Sequence, residues 1–230
     1  IERRDLFLRR IFNFFMEEIW ERIAYTYGNA EDLEEKNRRL VAEAVAHLAR
    51  ERSASGLPVE ILELGCGNGK VLVKCLGAVS SNCRITGIDS SPTMVKVARE
   101  RVASSPYISL IETDIQEWAK TAPTDAYDMV FAANTLHNLP SVDAIIGVIQ
   151  HMVRLTKPGG LVVFDVRNSL NPLLRYGYWK NRRAGMQFFP FSPFRAARLL
   201  KRAGCTNITS TPLAYATIAQ AGKAGKPAWF

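Results

Sequence analysis

Residues 59 to 70 read VEILELGCGNGK, an apolar run followed by three glycines within five positions. The run has the length and composition of a buried strand, and the glycines suit a tight turn that leads into a helix. Because glycine has no side chain, a ligand can approach the backbone there more closely than elsewhere. A strand, a glycine turn and a helix in this order are typical of α/β proteins that bind a ligand at the turn.

The rest of the chain continues the alternation of strand and helix. The predicted strands are VEILEL (59–64), CRITGID (83–89), ISLIETD (108–114), YDMVFAAN (127–134) and GLVVFDV (160–166). Helices are predicted near 68–79, 92–104, 142–155 and 193–204. Apolar strands separated by helices indicate a mostly parallel sheet with helices on both faces, so the predicted fold class is a doubly wound α/β domain.

A helical extension is predicted before the first strand. Residues 5–23 have the spacing of an amphipathic helix, with one apolar face formed by Phe12, Phe15, Ile19 and Ile23. A second helix is predicted over 32–52, with an inner face formed by Leu40, Ala44, His47 and Leu48. The sequence SASGLP then ends the helical pattern.

The composition narrows the function classes. No apolar run approaches the roughly 18 residues that a membrane span needs, and no signal peptide is recognisable, so a cytoplasmic protein is expected. The four cysteines form no CxxC pair, and the three histidines do not cluster with them. The sequence therefore predicts reduced thiols and no metal site.

The net charge of +8 is unevenly distributed. All 22 acidic residues lie at or before Asp165, whereas residues 166–230 contain eleven Lys and Arg and no acid. The last part of the chain therefore carries +11, and the first 165 residues carry 19 − 22 = −3. One end of the molecule is expected to attract anions.

The glycine turn does not fit the phosphate-binding motifs. A P-loop would need glycine at position 64 and Ser or Thr at 71, where this chain has Leu64 and Val71. The dinucleotide pattern would need glycine at position 70, which is Lys70. The acid Glu63, two residues before the first glycine, instead suits a ligand with positive charge and no phosphate, such as S-adenosylmethionine.

Further along, the chain resembles the class I S-adenosylmethionine-dependent methyltransferases, over about residues 59–166. The motifs IETDIQEW, YDMVFAANTLHNL and LTKPGGLVVFDV follow the glycine turn in the family's order, and IWERIAYTYG is similar to a stretch near the start of some members. The resemblance implies a seven-stranded sheet and S-adenosylmethionine as cofactor. It also implies a cofactor site formed by Glu63, Gly65, Cys66, Gly67, Gly69, Asp89, Ser90, Met94, Asp114, Ile115, Asn134 and Tyr27.

Within that site, Asp89 is expected to accept bonds from the ribose hydroxyls and Asp114 to face the adenine amino group, with Ile115 against the ring. An acid directly before a helix can also be a simple helix cap, and both interpretations stay open for the two aspartates. The glycines can likewise serve close packing alone. His137, in NTLHNLP, is the candidate base, because a histidine can remove a proton at neutral pH; the alternative is a hydrogen bond to a neighbouring loop.

The chain is predicted to form one methyltransferase domain over residues 1–230. Its parts are a helical cap (1–56), a cofactor-binding half (57–166), a substrate-binding insertion (167–191) and a closing helix with strands (192–230). The candidate substrate contacts in the insertion are Arg167, Arg175, Tyr178, Arg182 and Arg183. A solvated basic loop docked by its aromatic residues is the alternative interpretation of the same segment.

These features predict an enzyme that moves a methyl group to an oxygen or nitrogen of a small acidic or aromatic metabolite. Methylation of RNA is a second hypothesis, because basic and aromatic residues also suit nucleic acid. A membrane-associated lipid or quinone acceptor is a third, since the first helix combines aromatic residues with arginines. A non-catalytic protein that binds the cofactor only for stability is the fourth. The oligomeric state is left open.

Overall fold

The computed structural model describes residues 35–224 except 55, 104, 184–188 and 213–215. Its helices are α1 Glu35–Ala54, α2 Lys70–Cys75, α3 Pro92–Val102, α4 Ile115–Thr121, α5 Val142–Leu155, α6 Pro172–Arg183 and α7 Pro193–Arg202, with a short 3₁₀ helix at Leu136–Asn138. Its strands are β1 Val59–Leu64, β2 Cys83–Asp89, β3 Ile108–Glu112, β4 Tyr127–Ala132, β5 Thr156–Arg167, β6 Cys205–Pro212 and β7 Ala216–Lys223.

The strands form one seven-stranded sheet in the order β3-β2-β1-β4-β5-β7-β6. The first five strands along the chain are parallel to one another, and β7 runs antiparallel between β5 and β6. The strand order reverses between β1 and β4, and such a switch point opens a crevice at the carboxyl ends of the strands. The predicted doubly wound, mostly parallel, seven-stranded sheet is confirmed.

Helices cover both faces of the sheet, as predicted. One buried apolar cluster lies between the sheet and the helices α4, α5 and α7, and a second lies between the sheet and α1, α2 and α3. Alternate residues of β1 supply the two clusters: Ile61 packs in the second and Leu62 in the first. Because side chains alternate across a strand, burial on both faces explains why the strands are almost continuously apolar.

Helix α1 confirms the second predicted helix, but its predicted inner face is wrong at His47. His47 is 67% exposed, whereas the buried apolar positions are Val41, Val45, Leu48 and Ala49. Two sets of apolar residues, shifted by one position along the helix, both have the helical period here. The sequence pattern alone does not show which set faces the sheet. The predicted helix over residues 5–23 lies outside the described residues.

The carboxyl end of α1 is held by a buried acid at the opposite edge of the sheet from the crevice. Asp128 on β4 is 3.0 Å from Arg52 and 2.7 Å from Lys157, and it accepts the backbone N–H of Glu60. A buried carboxylate needs such partners to offset its lost hydration. This contact fixes α1 across the sheet, so that its first turns reach the carboxyl edge.

The strand bounds differ from the predictions at the crevice. β3 ends at Glu112 and β4 at Ala132, each two residues before the predicted end. Asp114 instead caps α4, and Asn134 has a φ of 58°, which no regular strand accommodates. Helices α4 and α6 were not predicted. Among the described helices, none is both long and apolar enough to span a membrane.

Candidate active site

The glycine turn after β1 is held against β2. Gly65 and Cys66 both donate their backbone N–H groups to the carbonyl of Ile88, at 2.7 and 2.9 Å. Gly65 has a φ of 75°, and a Cβ at this position would collide with the side chain of Thr135. Thr135 in turn donates its hydroxyl to the carbonyl of Gly65 at 3.1 Å. Gly65 is therefore required for the contact between β1 and the loop after β4.

The other two glycines have different surroundings. A Cβ on Gly67 would meet no atom within 4 Å, and this residue faces open space. A Cβ on Gly69 would lie 3.0 Å from Ala98 on α3, and Gly69 begins α2 with a φ of 78°. Gly67 thus leaves room for a ligand, whereas Gly69 allows two helices to pack closely.

The carboxyl edge of the sheet encloses a cavity of about 290 Å³ at the switch point. It brings together the predicted cofactor residues Glu63, Gly65, Cys66, Gly67, Asp89, Ser90, Met94, Asp114, Ile115 and Asn134. Gly69 does not line it, and Tyr27 lies outside the described residues. Ten predicted side chains and turn residues therefore meet at one site, although they come from β1, β2, α3, α4 and the loops that follow the first four strands.

Glu63 is the most deeply buried acid of this cavity. Its side chain is 1% exposed, and its Oε2 atom has no hydrogen-bond partner among the described residues. Burial, with a smaller contribution from the nearby charge of Asp89, raises the pKa of Glu63 well above its usual value. A buried carboxylate oxygen without a partner is costly, and a cationic ligand group in the cavity would supply one.

Asp89 at the end of β2 is positioned by the backbone of two loops. Its two carboxylate oxygens accept the N–H groups of Gly67, at 2.8 Å, and Ser91, at 2.9 Å. Burial raises the pKa of Asp89, and these backbone hydrogen bonds oppose the rise. Each carboxylate oxygen has a further lone pair, so Asp89 can still accept hydrogen bonds from ligand hydroxyls.

Asp114 is both a helix cap and a cavity residue. Its Oδ1 atom accepts the backbone N–H groups of Gln116 and Glu117, at 2.8 and 3.0 Å, and so caps α4. The same side chain lines the cavity beside Ile115, which is 8% exposed. The cap fixes the carboxylate at the mouth of the cavity. Asp114 can therefore cap the helix and still face a ligand in the cavity.

The sequence did not indicate Arg38, which also lines the cavity. Arg38 lies in the first turns of α1, is 3% exposed and is 3.7 Å from Glu35. Glu35 in turn contacts Lys74 on α2 at 2.5 Å. The only sequence signal for Arg38 is its position one helical turn before Val41, on the buried face of α1. That signal can be recognised only once the buried face is known. The other polar lining residues that were not predicted are Asn68, Lys70, Ser91, Gln116, Thr135 and Asn138.

His137, the candidate base, lies behind the cavity wall. It is 8% exposed, does not line the cavity, and its Nε2 atom is 3.5 Å from a guanidinium nitrogen of Arg167. Burial and the Arg167 charge lower the pKa of His137 well below its usual value, so the imidazole is neutral at pH 7. Its role as a base stays a prediction.

Arg167, predicted to contact substrate, is part of a buried polar cluster with His137, Asn134 and Asp165. It donates to the side-chain oxygen of Asn134 at 3.3 Å and lies 4.0 Å from Asp165. Arg167 is 5% exposed and does not line the cavity. The structure thus places this arginine behind Asn134, the residue of the cluster that faces the cavity.

The remaining substrate candidates lie on α6, away from the cavity lining. Arg175 is exposed and Tyr178 is half-buried. The side chains of Arg182 and Arg183 lie outside what the structure describes. Their predicted contact with an acceptor therefore stays a prediction.

The cavity is thus bipolar. Its acids are Glu63, Asp89 and Asp114, its cations are Arg38 and Lys70, and none of its described lining residues is a histidine. Burial raises the pKa of the Cys66 thiol well above its usual value, so Cys66 stays protonated at neutral pH. Within the described part of the chain, no group of His, Cys, Asp or Glu residues is arranged to hold a metal ion.

Comparison with known proteins identifies the family. Residues 61–160 match the model of a methyltransferase domain. A demethylmenaquinone methyltransferase of Desulfitobacterium hafniense is 33% identical over 129 residues, which cover 52% of this chain and 47% of the relative. A trans-aconitate 2-methyltransferase of Shigella dysenteriae is 32% identical over 174 residues, or 69% of this chain and 65% of the relative. The chain spans about half the length of several such relatives, 42–56% in four cases.

A solved structure supports the fold over most of the chain. The N-methyltransferase NodS from Bradyrhizobium japonicum, in complex with S-adenosylhomocysteine, superposes with a TM-score of 0.63 at 20% identity. The match covers 90% of this chain and 97% of NodS, which at this identity shows a shared fold. The matched segment shows that the chain carries a methyltransferase domain, and the strand order and this superposition show that the domain has the fold of the S-adenosylhomocysteine-bound NodS.

Proposed function

We propose that the cavity binds S-adenosylmethionine and that the chain transfers its methyl group to a carboxylate oxygen of a small acidic acceptor. The observation that carries the cofactor assignment is the buried Oε2 atom of Glu63, which lines the cavity without a hydrogen-bond partner among the described residues. The α-ammonium group of S-adenosylmethionine is the cation that fits it. Gly67, with open space where a Cβ would be, leaves room for the adjoining chain.

Each other part of the cofactor has a matching group in the cavity. Arg38 supplies a buried guanidinium for the carboxylate of the methionine portion, opposite in charge to Glu63. Asp89 accepts hydrogen bonds from the ribose hydroxyls, since its carboxylate is already fixed by the backbone. Asp114 accepts from the adenine amino group, and Ile115 packs against the ring.

When bound, S-adenosylmethionine supplies a methyl group that its sulfonium already makes electrophilic. The chain's own task is then to orient the two reactants and to exclude water, and orientation alone can supply about 7–11 kcal/mol. The loop after β4, from Ala133 to Pro140, forms the cavity wall beside the glycine turn. We assign to this wall the role of limiting how the acceptor approaches.

A carboxylate acceptor agrees with the ionisation of the site. A carboxylate is a competent oxygen nucleophile at neutral pH and needs no base, and no histidine is among the described lining residues. The +11 charge of residues 166–230 also favours an anionic acceptor. Trans-aconitate, which names one relative, carries carboxylates.

A phenolic acceptor is the second candidate, because another relative is named for demethylmenaquinone. Such an acceptor must lose a proton, and His137 would be the residue to remove it. The two candidates differ in their response to His137→Gln. Turnover of a carboxylate should stay within about threefold of the unchanged protein, whereas loss of a base costs about 10²–10⁴-fold.

Two measurements test the proposal in sequence. Calorimetric titration should show binding of S-adenosylmethionine and S-adenosylhomocysteine with Kd values on the order of 1 µM, about −8 kcal/mol. Mass spectrometry should then find base-labile methyl esters after incubation with a panel of di- and tricarboxylates. Absence of binding for both nucleosides would overturn the cofactor site. Methylation of amines or phenols alone would contradict the proposed carboxylate acceptor but not the proposed cofactor site.

A further inference from the structure

A corner of the surface at the carboxyl edge of the sheet exposes apolar side chains. Helices α6 and α7 begin on either side of a β-bridge between Asn168 and Phe191, and the N–H of Ser169 donates to the carbonyl of Phe191 at 3.3 Å. The neighbouring side chains Leu170 and Phe194 are 55% and 72% exposed. Leu170 and Phe194 follow the two bridge partners by only two and three residues, so both exposed apolar side chains lie at this corner of the surface.

Helix α6, which begins two residues after Leu170, exposes aromatic residues. Tyr176 is 64% exposed and Trp179 is 50% exposed. Their rings stack on each other, with centroids 5.9 Å apart and an interplanar angle of 29°. Arg175 beside them is exposed. Tyr and Trp in such a setting combine an apolar ring with a polar atom, which suits the boundary between lipid headgroups and acyl chains.

Helix α7 adds a row of cations. Its inner face buries Ala196 and Leu200 in the core. Its outer face exposes Arg198, Lys201 and Arg202. Because the chain has no acid after Asp165, neither α6 nor α7 contains a carboxylate that could neutralise this row. This row of cations therefore suits an anionic partner.

The docking face is defined by the exposed apolar residues Leu170, Tyr176, Trp179 and Phe194 together with the outer cations of α7. We propose that the docking face binds the surface of an anionic lipid bilayer. Cations next to an anionic membrane are attracted to it, and exposed apolar side chains partition into its interface.

Other anionic partners fit the docking face less well. A small soluble acid would need the cations but not the exposed Leu170 and Phe194. RNA would need aromatic ring faces for base stacking, whereas Tyr176 and Trp179 already cover one ring face each by stacking together. A bilayer uses both the charge and the apolar area, and so accounts for all four exposed apolar side chains.

The position of the docking face relates it to the cavity. β5 ends at Arg167, directly before the bridge, and the N–H of Phe189 donates to the carbonyl of His137 at 3.1 Å. Both contacts lie at the carboxyl edge of the sheet, where the cavity opens. Leu170 and Phe194 therefore lie near the edge where the cavity opens, and α7 extends its cations from there toward the opposite edge, where β6 begins. The inference does not depend on the identity of the cofactor or of the acceptor.

Vesicle sedimentation of the full chain tests the inference. Vesicles of phosphatidylglycerol and phosphatidylcholine should bind the chain at least about tenfold more tightly than vesicles of phosphatidylcholine alone. The variant R198Q/K201Q/R202Q should lose at least about tenfold in affinity for the anionic vesicles. The variant L170S/F194S should still bind anionic vesicles at low salt, where the cations act. It should bind them more weakly than the unchanged chain at high salt, where exposed charges are screened.

A matched control separates the docking face from net charge. Arg50, Arg84 and Lys96 are exposed on α1, β2 and α3, so R50Q/R84Q/K96Q removes the same charge elsewhere. This control should keep its vesicle affinity within about twofold. The inference fails if the control loses as much vesicle affinity as the α7 variant, or if anionic vesicles bind the chain no better than neutral ones. It also fails if single-stranded RNA displaces the chain from the vesicles at a concentration below that of the lipid. Vesicle binding without cofactor binding would leave the docking face standing and overturn only the proposed function.

Discussion

The backbone N–H of Asn134 donates to a carboxylate oxygen of Asp165, with a nitrogen–oxygen distance of 2.5 Å. Asn134 has a φ of 58° and lines the cavity, while Asp165 is buried on β5 at 3% exposure. The contact joins the loop after β4 to the neighbouring strand. An asparagine in the left-handed region carries some strain, and this hydrogen bond helps to hold it there.

We therefore predict that Asp165→Asn destabilises the protein and loosens the cavity wall. An asparagine at 165 can still accept the N–H of Asn134, but the charge that strengthens this hydrogen bond and faces Arg167 is lost. A buried hydrogen bond to a charged group contributes about 1.5–3 kcal/mol, so chemical denaturation should show a loss of up to that size in the free energy of unfolding. Asp143→Asn, on the exposed side of α5, serves as the control and should cost less than about 1 kcal/mol. Equal effects of the two substitutions would contradict the role given to Asp165.

The raised pKa of Glu63 predicts that cofactor binding depends on pH. In the free protein Glu63 holds its proton above the ordinary value of 4.5, and a bound ammonium group would favour the charged carboxylate. Binding should therefore release a proton, and the affinity should increase as pH rises from 4.5 toward the raised pKa. Titration in buffers of different ionisation enthalpy, from about pH 5 to about pH 7.5, measures this proton.

Glu63→Gln provides the matching control, because it keeps the size of the side chain and removes its titration. Its affinity for S-adenosylmethionine should fall by more than about tenfold, which corresponds to about 1.4 kcal/mol. Its proton release should also fall. The same raised pKa means that the free protein loses stability as pH rises through this range, and Glu63→Gln should reduce that loss. An unchanged pH profile in the variant would exclude Glu63 as the partner of the ammonium group.

Arg38 is predicted to recognise the carboxylate of the cofactor. Arg38→Ala should lower the affinity for S-adenosylhomocysteine by about 10–100-fold, because a charged hydrogen bond of about 1.5–3 kcal/mol is lost. Its affinity for 5′-methylthioadenosine, which has no carboxylate, should change by less than about threefold. Calorimetry of both ligands checks this, and Arg39→Ala, at the exposed next position on α1, is the control. If both ligands weaken equally, Arg38 supports the cavity without contacting the carboxylate.

Gly65 is predicted to tolerate no side chain. Gly65→Ala places a Cβ into the side chain of Thr135 and also puts a side chain at a φ of 75°. The backbone strain alone costs about 1–3 kcal/mol, and the collision with Thr135 adds to this loss in the free energy of unfolding. Gly147→Ala is the contrasting substitution, because Gly147 lies inside α5 with no atom within 4 Å of a new Cβ. That change should stabilise the protein by about 0.5–1 kcal/mol. Thermal unfolding of the two variants should therefore shift in opposite directions.

The amino-acid sequence by itself determined the five parallel strands of the sheet and the acidic side of the cavity. Glu63, Asp89 and Asp114 each lie at the end of a predicted strand or just after it, and the carboxyl ends of parallel strands meet at one edge. Their proximity therefore follows from the strand pattern alone. The glycine turn could be placed for the same reason, because it joins a recognisable strand to a helix.

The tertiary structure decided which other side chains reach the cavity. The inner face of α1 depends on the rotation of the helix about its axis, so Arg38 became visible only once Val41 and Val45 were found to be buried. His137 and Arg167 are far apart in the chain, and only the packing of the loop after β4 against β5 brings them together behind the wall. Strand ends follow from local periodicity, but the direction of a side chain after a strand depends on long-range contacts that no local pattern contains.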